Sequence, residues 1–192
     1  MNENLIVLFI KALTGNNLIL YSLLGICPLV LYQLNIKECF SIGLIITAIM
    51  LIGTWLTLFF FNFILLQMNL IYLKILCFVF FIYLIIQFIK IIANRFSPSL
   101  SKLFDTYPEF FYTNYAIYGL AFLNINLIFE FLNATVLALG SGLGYLIVIL
   151  IFNAIKERIN DIKKLSPSRR LFMELVVLGL MSLVFICITG LR

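Results

Sequence analysis

Residues 5–31, LIVLFIKALTGNNLILYSLLGICPLVL, decide the fold. The stretch is long and apolar enough to cross a bilayer, whose hydrocarbon core takes about 20 residues of helix. Yet Thr14-Gly15-Asn16-Asn17 falls in its middle, and Gly25 followed by Cys27-Pro28 falls near its end. Glycine and proline interrupt a helix by adding backbone freedom or removing an N–H donor. Lipid has no partner to offer the freed backbone groups, so such a span must pack against protein or line a polar cavity. The first span therefore faces inward, and an all-α membrane protein is expected to form around it.

The rest of the chain agrees with that class. Of 192 residues, 64% are hydrophobic and 11% charged, and the mean hydropathy of +1.18 excludes an ordinary water-soluble domain. Charged and polar punctuation divides the chain into spans at about 5–30, 41–61, 70–92, 107–128, 131–154 and 172–191. Residues 1–192 then form one integral-membrane domain with no space for a soluble catalytic domain. The chain is not expected to be an enzyme by itself, and nucleotide or flavin chemistry would belong to a partner. There is no His, no CxxC and no phosphate-cradling glycine loop, and the cysteines at 27, 39, 77 and 187 have no metal-ligand spacing. The start, MNENLIVLFIK, carries Glu3 and lacks a basic region before its apolar run, so the first span is expected to be retained rather than cleaved.

Charge sets the orientation. Lys37, Lys90, Arg95, Lys102, Lys156, Arg158, Lys163, Lys164, Arg169 and Arg170 are 10 of the 13 basic residues, and all fall in or beside the connections at 32–40, 93–106 and 155–171. The positive-inside rule makes those connections cytoplasmic and puts both termini on the opposite side. The segment from Lys156-Glu157-Arg158 to Arg169-Arg170 reads as a solvated loop that fixes topology, with docking of an acidic partner as the alternative. The net charge of +5 lies in loops rather than along a groove, so lipid is expected as a neighbour and nucleic acid is not.

Span four repeats the interruption of span one, with Pro108-Glu109 at its start, Thr113-Asn114 soon after, then Gly119, Asn124 and Asn126. Broken helices at corresponding positions of two three-span halves of opposite orientation mark an inverted repeat with a site at its centre. Here the halves are about 1–95 and 96–192. Gly140-Ser141-Gly142-Leu143-Gly144 carries no chemistry and is expected to clear a face for close helix approach.

Several segments together carry a resemblance: Asn16-Asn17 with Leu24-Gly25-Ile26-Cys27-Pro28, Leu70-Ile71-Tyr72-Leu73-Lys74, Ser97-Pro98, Thr113-Asn114, Leu123-Asn124-Ile125-Asn126, Ile155-Lys156-Glu157-Arg158 and Gly179-Leu180-Met181-Ser182-Leu183. Almost end to end, the chain resembles the family that joins the A subunit of the Rnf electron-transport complex to its homologue, the E subunit of the sodium-translocating NADH:quinone reductase. The Rnf member is the nearer. The resemblance implies six spans in a 3+3 inverted repeat with half-helices in spans one and four. It also implies the inner membrane of a bacterium or archaeon and pairing with a homologous six-span subunit of opposite topology. Further implied partners are flavin-bearing and iron–sulfur subunits, with electrons crossing the membrane through a [2Fe-2S] cluster shared between the pair. In the family each half-helix gives that cluster one cysteine.

Cys27 matches the first family ligand, as a thiolate suits a cluster iron. A lone membrane cysteine also reads as a small buried hydrophobe, the reading kept for Cys39, Cys77 and Cys187. Where the family has its second ligand, after Thr-Asn, this chain has Tyr115. Asn16, Asn17, Gly25, Pro28, Thr113 and Asn114 would support the interrupted backbone. Three readings follow. The cluster persists with Tyr115 or another donor in the missing place; it is absent and the chain is a cofactor-free scaffold; or the second half-helix handles ions through Glu109, whose plainer reading, with Asp105, is an interfacial position near Lys102. A reading from another class is a small inverted-repeat transporter, built from the same broken helices.

Overall fold

A computed structural model describes residues 5–15, 25, 27–65, 67, 73–96, 98–126, 131–160 and 166–190, and among these every regular element is helical. In chain order they are α1 (Leu5–Ile10), continued by a π-helical turn (Lys11–Gly15); α2 (Cys27–Leu31); α3 (Ile36–Phe60), continued by a π-helical turn (Phe61–Leu65); α4 (Lys74–Phe96); α5 (Pro98–Thr106); α6 (Glu109–Tyr112); α7 (Tyr115–Asn126); α8 (Phe131–Asn160); and α9 (Pro167–Gly190).

The long helices α3 and α8 form the most extensively packed pair, and small residues bring them together. A Cβ on Gly142 would fall 2.6 Å from Thr47 Cγ2, and one on Gly43 would fall 2.9 Å from Leu146 Cγ. Gly140, on the same helix, turns to the first span, where a Cβ would meet that of Ala12 at 2.7 Å. The expected small-residue face is thus used twice, once against α3 and once beside α1, because close backbone approach is how apolar helices gain contact in lipid. Thr47 and Thr57 return their hydroxyls to the carbonyls of Gly43 and Gly53 one turn back, so neither leaves a polar group unsatisfied. At the other end of the pair, Trp55 Nε1 donates to Thr135 Oγ1 at 3.0 Å, and its ring stacks on Phe131.

Four helical segments are long and apolar enough to cross a membrane: Ile36–Ile64, Ile75–Arg95, Phe131–Ile159 and Ser168–Cys187. The last of these and the α4 segment present apolar side chains such as Leu76, Phe88, Leu180 and Leu183 outward, as a lipid-facing surface requires. Among the described residues, neither of the other two stretches expected to span, 5–30 and 107–128, holds a helix of that length. Span four is cut at Thr113–Asn114 into α6 and α7, whose 12 residues reach only about 18 Å at 1.5 Å per residue. Span one is described as Leu5–Gly15 and Cys27–Leu31, and Asn16 and Asn17 lie outside the described residues.

Helix runs into all three expected connections: α3 opens at Ile36 within 32–40, and α4 to Phe96 with α5 fills most of 93–106. The connection expected at 155–171 is shorter, because α8 continues to Asn160 and α9 opens at Pro167, a residue suited to a first helical turn. Lys156 is consequently a buried helical residue rather than part of a solvated loop.

Candidate functional site

The two interrupted helices meet. Gly25 is buried with φ +82°, a left-handed conformation open to glycine. A Cβ there would fall 2.5 Å from Asn114 Oδ1, 3.2 Å from the Cβ of Ala116 and 3.4 Å from the ring of Tyr145 on α8. Asn114, fully buried, bridges its own break: its Nδ2 donates to the Phe110 carbonyl at 3.2 Å, and its Oδ1 accepts the Ala116 N–H at 3.1 Å. The amide thus replaces bonds that the helix loses between α6 and α7. Thr113 donates to the Glu109 carbonyl, and Tyr118 to that of Tyr112, giving two more carbonyls at the break a partner.

The candidate donors flank this junction. Cys27 opens α2 two residues after Gly25, and Tyr115 opens α7 directly after Asn114; both are exposed, while Pro28 is buried next to Cys27. Cys39 is buried in α3, Cys77 is half-buried in α4 and Cys187 is exposed near the end of α9.

Two tyrosine–carboxylate bonds anchor α6, one to the exit of α2 and one to α3. Tyr32, just after α2, donates to Glu109 at the start of α6. Tyr107, just before α6, donates to Glu38 at 3.2 Å, and the Tyr32 and Tyr107 rings meet edge to face at 5.2 Å. Glu38 also accepts the Asn35 N–H that opens α3. The bond to Glu109, then burial and the Glu109 charge, hold the Tyr32 phenol above its usual pKa. Glu109 is therefore half-buried and engaged, and Asp105 pairs with Lys90 at 2.6 Å on the surface.

A third set of contacts holds the exit of α2. Lys156 donates to the carbonyls of Leu29, Val30 and Tyr32 at 3.1, 2.5 and 3.1 Å, and it pairs with Glu174 at 3.2 Å. Asn153, one turn back on α8, clasps Leu34 through both its N–H and its C=O. Neither Glu174 nor Asn153 figures among the residues singled out from sequence. Glu174 did carry a signal, as the lone charged residue in the apolar run 172–191, a position that demands a partner in a membrane.

Residues 5–192 match the family described as "Rnf-Nqr subunit, membrane protein". The chain belongs to that family. It is 32% identical over 187 residues to the A subunit of the ion-translocating oxidoreductase complex of Pectobacterium carotovorum, with 96% of each chain covered. It is also 32% identical over 186 residues to the A subunits of the same name in Yersinia pestis and Shigella boydii, covering 97% of this chain and 96% of each relative. This Rnf-Nqr protein thus spans nearly the full length of its relatives. Among its described residues no three His, Cys, Asp or Glu side chains converge on a point where a metal ion could sit. One thiol and one phenol flank the junction. That donor set fits a share of one thiolate in a cluster; it does not fit a share of two thiolates.

Proposed function

We propose that the chain is the A-type membrane subunit of an Rnf-type redox-driven ion-translocating oxidoreductase complex, and that it takes part in a transmembrane electron relay at its interface with a homologous subunit. The observation that carries the reading is the contact of Gly25 with Asn114, which joins the two interrupted helices and leaves Cys27 exposed beside the junction. An exposed thiol in an apolar bundle suits a site completed by a second chain. Cys27 would hold the iron of a shared [2Fe-2S] cluster, with Tyr115 at the position of the second ligand, and the cluster when bound would supply one-electron transfer. Gly25 and Pro28 set the approach of α2, while Thr113 and Asn114 close the broken backbone, so the thiol sits on a preorganised frame. Asn16 and Asn17 belong to the same frame in this reading.

Six spans arranged as a 3+3 inverted repeat agree with four continuous spans and two interrupted ones, and with α3 and α8, the middle helices of the two halves, forming the central pair. Both termini would face away from the cytoplasm of a bacterial or archaeal inner membrane. The partners would be a homologous subunit of opposite topology, flavin-bearing and iron–sulfur subunits, and lipid. A cofactor-free scaffold is the second reading, favoured by the oxygen donor at Tyr115. Purification through this chain, followed by assay of electron transfer, separates the two: a relay brings down flavin and iron–sulfur subunits and loses electron transfer on Cys27→Ser, whereas a scaffold brings down the same subunits and keeps it.

A further inference from the structure

The helix that carries Cys27 is too short to hold itself. Five residues close barely more than one turn, and isolated helices below about 12 residues are unstable in water. Its last carbonyls have no intrahelical partners. What fixes it comes from other helices, and the strongest fixing group is Lys156. The ammonium has three N–H donors, and it faces the carbonyls of Leu29, Val30 and Tyr32 and the Glu174 carboxylate. The two charged side chains are 6% and 4% exposed, so each neutralises a charge that the other could not carry alone in that place.

We propose that Lys156 and Glu174 form a positioning pair for Cys27: Lys156 holds the C-terminal end of α2, Glu174 keeps Lys156 charged and aimed, and together they set how the thiol at the other end of α2 is presented. A salt bridge serving only to join α8 to α9 would not need three carbonyls from α2 and its exit on the lysine. The roles are asymmetric: Lys156 binds both α2 and Glu174, and Glu174 acts on α2 through Lys156. Asn153 extends the grip along the chain to Leu34. The importance of the pair rests on the proposed role of Cys27, but the placement of the thiol can be measured whether or not it holds iron.

The test is the rate at which N-ethylmaleimide alkylates each cysteine of the full chain, expressed without partners and read by peptide mass spectrometry. Cys187, exposed near the far end of α9 and about 20 Å along that helix from Glu174, serves as the internal control. Cys27 is already exposed, so the rate reports how α2 presents its thiol: freeing α2 widens the range of approaches open to Sγ, and Lys156→Met should speed its alkylation about tenfold, with Glu174→Gln changing it by a smaller factor in the same direction. Lys156→Arg keeps charge and donors and should stay within about twofold of the parent. If Lys156→Met does not accumulate, Lys156→Met with Glu174→Leu removes the unpaired charge and should show the same rise. An unchanged Cys27 rate in Lys156→Met, or in the double variant where that one does not accumulate, overturns the proposal, and so does an equal rise at Cys187, which would mean general loosening. In the assembled complex, the variants should shift the midpoint potential of the centre rather than abolish it. Absence of iron from the native complex would remove the relay reading and leave the alkylation result standing.

Discussion

Gly25 lies against the Asn114 side chain so closely that a single added carbon would stand 2.5 Å from its Oδ1. Gly25→Ala meets two penalties: the left-handed backbone, at about 1–2 kcal/mol for a residue with a Cβ, and the displacement of an amide that is itself bridging a helix break. Thermal unfolding of the purified chain should show a loss of at least about 2 kcal/mol. Removing the obstructing amide as well, in Gly25→Ala with Asn114→Ala, should cost less than the sum of the single changes, since the pair is in contact.

The close approach of α3 and α8 predicts a contrast between glycines. Gly142→Ala forces a methyl group onto Thr47, whose Cα lies 2.9 Å from the new atom, and should destabilise by about 1–3 kcal/mol. Gly179→Ala, with open space around it, should be neutral or stabilising by up to about 1 kcal/mol through helix propensity. Equal effects at the two positions would mean that α3 and α8 do not pack through Gly142.

Glu109 accepts from Tyr32, and that bond ties α6 to the exit of α2. A double-mutant cycle of Tyr32→Phe and Glu109→Gln should return a coupling of about 0.5–3 kcal/mol. In the assembled complex, Glu109→Gln should leave the rate and ion dependence of coupled transport unchanged. A changed ion dependence would assign Glu109 to the ion path instead.

Topology can be read by accessibility. A cysteine at Arg169, in a background lacking the exposed Cys27 and Cys187, should react with a membrane-impermeant maleimide only after the cytoplasmic face is opened. Labelling from the outside of intact cells would reverse the orientation drawn from the basic residues.

The sequence disclosed the interruptions but not their partners. Gly25 before Cys27-Pro28 and the pair Thr113-Asn114 mark broken helices by composition alone, because glycine, proline and asparagine change local backbone chemistry; Asn16-Asn17 lies outside the described residues. That Gly25 touches Asn114 is a relation between distant segments, and no local pattern encodes it. Lys156 was hidden for a different reason. Charge reads as the end of a span, yet α8 continues to Asn160, past the point where its apolar run stops, with one face of its last turns, Asn153, Lys156 and Ile159, buried and the first two bonded to α2 and its exit. A lysine there reads as loop until its carboxylate partner is seen, and Glu174 sits within a run otherwise free of charge. The small-residue face at Gly140 to Gly144 was legible because glycine spacing on one helix needs no knowledge of the partner.

Participation of Cys27 in an electron relay is tested most directly by low-temperature EPR with iron quantitation on the complex purified through this chain, comparing the native form with Cys27→Ser. The expected result is a [2Fe-2S]-type signal with matching iron in the native complex, and its loss or altered g-values on Cys27→Ser with the partner subunits still bound. An intact, partner-containing complex with no such signal, or with a signal indifferent to Cys27→Ser, would contradict it.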